Sequence, residues 1–356
     1  MGKRRITRRE FMRDTAIAAA GVAVGIAAAH TDAAPSKPKP KILNYNEDME
    51  YRRLGKSGLM ISAISLGGHW KRLIAGTGWD RGTEGLDVLD KNRHDIISRC
   101  IDVGINYVDA CSGSEIITYA KALKGRREKM YFGFSWYEWE PRFDEWRTAD
   151  ALVKGFDQGL KESGLDYVDL WRISAMMGGE NTDAEVEAMI EAFERVHKQG
   201  KAHHFGISSH SREWLKHVIE KYSQVEVILT PYTAASKVKP TNSLFDAVKK
   251  QDVGVFGIKP FSSGSLFKDG AGAGGKSTDG DDQLARLALR YILTNDSITA
   301  PLPGLISSHQ IDNAVQAVKE RRNLDLKETA HLDAAAKEML ANLPPDYQWL
   351  REWKWV

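Results

Sequence analysis

From Tyr51 onward the sequence alternates short β-branched runs with amphipathic helical stretches, and it does so eight times. The strand candidates are Ile61 to Leu66, Tyr107 to Asp109, Tyr131 to Phe134, Val168 to Ile173, His204 to Ile207, Val227 to Leu229, Val253 to Ile258 and Ile298 to Pro301. Between them apolar residues recur at three- and four-residue spacing, as in Ile96, Ile97, Cys100, Ile101 and Val186, Met189, Ile190, Phe193. Such faces bury one side of a helix against a sheet. Regular βα alternation requires parallel strands with the helices outside, because a parallel connection needs a crossover. Eight units predict a closed (β/α)8 TIM barrel, with a doubly wound open sheet as the alternative. Asn92, with Asp95 three residues later, reads as an N-terminal cap of the first outer helix.

The balance of 50 Lys and Arg against 48 Asp and Glu leaves a net charge of +2 with no basic stripe, which excludes a nucleic-acid-binding surface. Cys100 and Cys111 are the two cysteines, with no CxxC and no Cys/His spacing for a metal, so neither a metal site nor a disulfide framework is expected.

Lys3, Arg4 and Arg5 precede TRREFMR (Thr7 to Arg13) and an Ala-rich run from Ala16 to Ala29. This segment resembles a twin-arginine export signal over residues 1–33, cleaved after Ala29 or Ala33. The resemblance implies the twin-arginine translocase as a partner during export and a periplasmic or otherwise exported location. The run is too short and weakly apolar for stable membrane insertion. The remainder divides into a Pro- and Lys-rich linker at 34–48, the barrel at 49–325, and a C-terminal helix and Trp-rich tail at 326–356 that packs on the barrel.

YRRLGKSGLMISAISLGG (Tyr51 to Gly68), GINYVDA (Gly104 to Ala110), LDYVDLW (Leu165 to Trp171), GKAHHFGISSHS (Gly200 to Ser211), GVFGIKPFSSGSL (Gly254 to Leu266) and LPGLISSHQIDNAV (Leu302 to Val315) follow one another in order. Together they resemble the aldo/keto reductase family. The resemblance implies that an N-terminal hairpin plugs the barrel floor, that NAD or NADP is the cofactor, possibly tightly bound, and that Asp109 is the catalytic aspartate. It also puts Ser135 at the family's lysine position and Ser174 at its histidine position, and leaves the loop after Asp109 (ACSGSE) without the tyrosine. The family's acid/base tetrad is therefore largely absent.

In a (β/α)8 barrel the chemistry sits on the loops after the strand C-termini. His69, Asp109 and Lys259 stand there as acid/base candidates, with Lys259 expected either to pair with Asp109 or to contact phosphate. His210 is a further titratable candidate at the same face. Trp70, Cys111, Trp136 and Arg172 are candidate substrate contacts, and stacked aromatics suit a cyclic polar ligand such as a carbohydrate. By resemblance, Tyr232 stacks under the nicotinamide, with Ser208 and Ser209 beside it. Ser262, Gly264 and Leu266, then Gly304, Ser307, Gln310 and Asn313, match the two loops that hold the dinucleotide. Small residues there let backbone amides approach phosphate, or merely cap the helix that follows. The Gly-rich stretch Gly270 to Gly280 reads as a mobile loop at this face. Two functions follow: an exported NAD(P)-dependent oxidoreductase acting on a carbonyl or sugar-like hydroxyl, or a non-redox barrel that binds a carbohydrate-like ligand or a protein partner.

Overall fold

The computed structural model describes residues 41–68, 87–267, 277–343 and 345–351. Strands β3 (Tyr107–Ala110), β4 (Tyr131–Phe134), β5 (Val168–Ser174), β6 (Ala202–Ser208), β7 (Val227–Pro231), β8 (Gly254–Ile258) and β9 (Ala300–Leu302) form one parallel sheet in sequence order. That order, without a reversal, excludes the doubly wound alternative. Residues 63–67 close the cylinder. Ser65 and Gly67 donate to the Pro301 and Pro303 carbonyls (3.3 and 2.9 Å), while Leu66 donates to Tyr107 and accepts from Asp109 (3.0 and 2.8 Å). Alternate residues of an extended chain bond to opposite neighbours, so this segment serves as the missing stave.

The sequence assigns that stave to Ile61 through Leu66, but the ladder there is shorter. Met60–Ser62 (β2) instead pairs antiparallel with Tyr51–Arg53 (β1), and Leu66 alone bridges β3. This hairpin seals the barrel floor: Leu54 and Ile61 are fully buried in one cluster with Tyr107, Leu170, Val227, Leu229 and Phe256. Asn44 and Asn46, within the stretch read as linker, donate to the carbonyls of Ile101 and Asp102 and are held against the barrel (2.6 and 3.2 Å).

The outer helices are α1 (Asp87–Asp102), α2 (Gly113–Ala122), α3 (Ala149–Ser163), α4 (Asp183–Lys198), α5 (Arg212–Lys221), α6 (Leu244–Gln251), α7 (Asp279–Leu293) and α8 (Ser308–Lys319), followed by α9 (Leu326–Ala341). Ser or Thr side chains at 112, 148, 182, 211, 243, 278 and 307 accept the third helical amide, fixing where α2 to α8 begin. Asn92 is no cap. It lies inside α1, which begins at Asp87, and its amide donates to the Ile306 carbonyl (3.0 Å) while Arg93, fully buried, donates to Leu305 (2.9 Å). Helix α1 thereby pins the loop after β9. Leu332, Ala336 and Met339 of α9 pack with Leu284 and Leu287 of α7, and with Leu266, Phe267 and Tyr347.

Strand alternation stacks two layers inside the barrel. Tyr107, Leu170 and Phe256 form an apolar lower layer; two residues on, Asp109 and Arg172 point the same way into a polar upper layer. Gly133 separates them, since a Cβ there would fall 1.9 Å from the Tyr107 hydroxyl and 2.6 Å from Asp109 Oδ1. Gly133→Ala is expected to destabilise the barrel by about 1–3 kcal/mol through overpacking. A lowered urea midpoint at unchanged slope checks this, and a wild-type midpoint would contradict it.

Candidate active site

The upper layer is organised by one buried ion pair. Arg172 donates from Nε to Asp109 Oδ1 (3.1 Å) and from Nη2 to Asp109 Oδ2 (2.6 Å), and both side chains are at most 7% exposed. The Tyr107 hydroxyl donates to Oδ1 as well (3.0 Å). Burial works against the Arg172 charge, but the adjacent Asp109 carboxylate outweighs it and holds the guanidinium protonated beyond its ordinary range. Burial pushes the Tyr107 phenol well upward, so this hydroxyl remains a donor. Arg172 Nη1 continues to Ser174 Oγ (3.2 Å).

Above this layer opens a cavity of about 640 Å³. One end is bordered by Gly67, Gly68, Asp109, Cys111, Glu115, Tyr137, Arg142, Arg172, Ser174, Ser208 and His210. The other runs along the loops after β8 and β9, past Lys259, Ser263, Gly264, Gly304, Gln310 and Asn313, to Asp281 and Asp282 at the start of α7. Tyr347 and Trp349 of the C-terminal segment border the same space. The Trp349 ring stacks on His210 (centroids 4.3 Å apart, 26°). Burial, and then the nearby Lys259 and Arg142 charges, hold the His210 imidazole well below its usual value, hence neutral.

Of the candidate residues singled out from sequence, Asp109, Cys111, Arg172, Ser208, His210, Lys259, Gly264, Gly304, Gln310 and Asn313 share this cavity. His69, Trp70 and the Gly-rich stretch through residue 276 lie outside the described residues. Thr278 to Gly280, the end of that stretch, already cap and open α7. The others do not border the cavity. Tyr232 is buried between Arg212 and Phe245, and its hydroxyl accepts from Asn295 (3.2 Å). Ser209 is turned to the Met176 carbonyl (2.9 Å). Ser262 is fully buried, so the neighbouring Ser263, in a left-handed conformation (φ 59°), faces the cavity in its stead. Leu266 belongs to the α7–α9 core, and Ser307 caps α8.

Trp136 is no substrate wall either. It stacks on Trp139 (4.3 Å, 3°) against the bare backbone of Gly113 and Gly159, and Trp171 is core; of this cluster Tyr137 reaches the cavity. Lys259 does not take the Asp109 pairing proposed for it, since Arg172 and Tyr107 occupy both carboxylate oxygens. Its ammonium lies over the Tyr347 ring (5.5 Å).

Several site groups were not legible in the sequence. Glu115, in the loop that lacks the tyrosine, is buried with Oε2 accepting the Cys111 amide (2.8 Å). Glu140, within WYEWEPRF, carries no sequence signal that marks it as buried, and it is 2% exposed. It accepts from Trp171 Nε1 (3.1 Å), the Ser174 amide (2.7 Å) and the Ser135 hydroxyl. Desolvation raises its carboxyl above the usual range despite those donors. Among the described residues no group of three or more His, Cys, Asp or Glu could hold a metal ion.

The chain thus forms a barrel closed by a hairpin floor, with an acid at the end of β3 and a long groove over β8 and β9. The Aldo/keto reductase family model covers residues 72–337, and the chain belongs to that family. The L-glyceraldehyde 3-phosphate reductase of Escherichia coli K12 is 24% identical over 339 residues, 80% of this chain and 92% of that protein. The L-galactose dehydrogenase of Arabidopsis thaliana is 24% identical over 320 residues, 83% and 96% of the respective chains. A solved aldo-keto reductase from Bacillus halodurans, in its holo form, superposes with a TM-score of 0.60 at 23% identity over 84% of this chain and 99% of its own.

Removing one member of the buried pair, as in Asp109→Ala, is expected to cost about 3–5 kcal/mol because the other charge stays desolvated. The double variant Asp109→Leu/Arg172→Met should recover most of that. Chemical denaturation of the three proteins checks this; equal losses in single and double variants would contradict it.

Proposed function

We propose that this protein is an exported NAD(P)-dependent oxidoreductase that acts on a carbonyl or sugar-like hydroxyl, using an acid/base set rearranged around Asp109 and Arg172. The observation that carries this reading is the single cavity joining that buried pair to the loops after β8 and β9. Its outer half fits a dinucleotide. Gly264 and Gly304 present bare backbone, and the twelve-residue helix α8 begins directly behind the β9 loop, with Gln310 and Asn313 of its first turns bordering the groove. Asp281 and Asp282 border the far end. A carboxylate there accepts a ribose hydroxyl and repels a 2′-phosphate, which favours NAD over NADP.

A bound nicotinamide would supply the hydride acceptor or donor; the chain's own residues supply the charge. Three of the five Arg172 N–H groups are engaged by Asp109 and Ser174, and the guanidinium borders the cavity. A fixed cation at the barrel mouth stabilises negative charge developing on a substrate oxygen without reorganising. Asp109 acts through Arg172 by keeping it charged and oriented, the position the sequence gives to a catalytic acid. Lys259 and Cys111 complete the candidate polar wall, and His69 is retained as a candidate acid/base group. The relatives named for a sugar dehydrogenase and a sugar-phosphate reductase support a polar, carbohydrate-like substrate. Ser135 and Ser174, at positions the resemblance gives to lysine and histidine, favour the second reading: a barrel that binds such a ligand without redox turnover.

Fluorescence titration of the purified protein with NADH and NADPH separates the two, together with mass spectrometry for a copurified dinucleotide. Binding, tighter for NADH, is expected; no binding of either and no copurified dinucleotide would overturn the oxidoreductase reading. For export, residues 1–33 are proposed to direct twin-arginine translocation to the periplasm. Replacing Arg8 and Arg9 together by Lys should leave the chain in the cytoplasmic fraction, and unchanged export would remove the translocase from the account.

A further inference from the structure

Beneath the cavity floor lies a carboxyl group that the chemistry above does not use. Glu140 makes no ion pair with a described residue, and its three hydrogen-bond donors are neutral: the Ser135 hydroxyl, the Ser174 amide and the Trp171 indole. A buried carboxylate with neutral partners is costly unless something uses it. Glu140 is also connected to the cavity. Ser135 Oγ lies 2.9 Å from Ser174 Oγ, and Ser174 borders the cavity beside Arg172, whereas Ser135 and Glu140 do not reach it. With Glu140 ionised, the donors align in one direction. Arg172 Nη1 donates to Ser174, leaving the Ser174 proton for Ser135 and the Ser135 proton for Glu140. The cavity-facing hydroxyl of Ser174 is then an acceptor; protonating Glu140 reverses the chain and makes it a donor.

We infer that Ser174, Ser135 and Glu140 form a proton relay between the cavity and a buried carboxyl store, in the place where the proposed reaction needs an acid/base group. The inference rests on the oxidoreductase reading for its use, and on this geometry for its existence. In the oxidation direction, a bound NAD(P)+ would take the hydride that leaves when the substrate C–H bond breaks. The substrate O–H proton passes to Ser174 Oγ, the Ser174 proton to Ser135 Oγ, and the Ser135 proton to Glu140. The carbinol becomes a carbonyl, the nicotinamide is reduced, and the carboxylate becomes a carboxylic acid. In reduction the same three protons move back toward the substrate oxygen. Arg172 stabilises that oxygen in both directions.

The charged groups acting on Glu140 are Arg172 of β5 and Arg142 of its own loop; both oppose protonation, and desolvation outweighs them. Glu140 is a positioning residue here, since it acts on a substrate only through the serines.

Infrared difference spectroscopy on the purified, ligand-free protein tests the relay. The wild-type should show a protonated-carboxyl band that titrates above the usual carboxylate range and disappears in Glu140→Gln. After a pH jump, that band should re-equilibrate about 10²-fold more slowly in Ser135→Ala than in wild-type, with its end point nearly unchanged, because the middle carrier is gone. Ser174→Ala provides the same reading if Ser135→Ala does not fold, and a frequency shift of the band in either serine variant assigns it without Glu140→Gln. Equal rates in wild-type and serine variants, or no titrating buried carboxyl, would overturn the relay. Neither measurement uses a dinucleotide or a substrate, so failure here leaves the dinucleotide result standing, and the reverse holds.

Discussion

The upper half of this barrel depends on the buried pair between Asp109 and Arg172. In an interior of low dielectric either charge alone would be driven to neutralise or to escape to water, and together they are tolerated only with close geometry and satisfied remaining donors. Those conditions are met. Two guanidinium nitrogens face two carboxylate oxygens, Tyr107 adds a third donor, and Ser174 takes the guanidinium's outer nitrogen. The pair also marks the boundary between two regimes. Below it the barrel is apolar and sealed by Leu54 and Ile61 of the hairpin; above it Ser174 and Ser208 open onto the cavity.

The loops above that boundary are held from behind rather than from within. Arg93 and Asn92 of α1 fix the Leu305 and Ile306 carbonyls, and Asn313 of α8 is tied to Arg286 and the Asp282 carbonyl of α7. A groove whose walls are fixed by outer helices keeps its shape when empty, so less ordering is required when a ligand binds. The aromatic residues of the loop after β4 serve the same end. The Trp136 and Trp139 rings stack on each other, Trp136 against Gly113 and Gly159 and the Trp139 backbone against Gly155, and this holds the chain where Glu140 can turn inward beneath Ser174.

Much of the barrel was legible because its signals are local. The run YFGF at Tyr131 to Phe134 is a strand over those same four residues, and the alternation of β5 carries Leu170, Arg172 and Ser174 to one face. Strand-end position and the resemblance together bring ten of the singled-out residues to one cavity. Local signals failed where a side chain had two acceptable partners. Asn92 can cap a helix or brace a distant carbonyl, Ser307 can touch phosphate or cap α8, and Tyr232 can face the groove or fold between Arg212 and Phe245. For Asn92 and Tyr232 the choice is decided by neighbours far away in sequence, whereas Ser307 is taken by the Gln310 amide of its own helix.

The amino-acid sequence by itself determined the repeating βα units and the placing of Asp109 and Arg172 at strand ends, because periodicity and turn chemistry act over a few residues. Only the tertiary structure decided that Asp109 pairs with Arg172 and not with Lys259, and that Glu140 is a core carboxyl and not a surface acid. It also decided that residues 63–67 close the cylinder. Pairing and burial are properties of what lies across the barrel. The chain fixes them only when all its staves are in register, and the dielectric around each charge is set at the same moment.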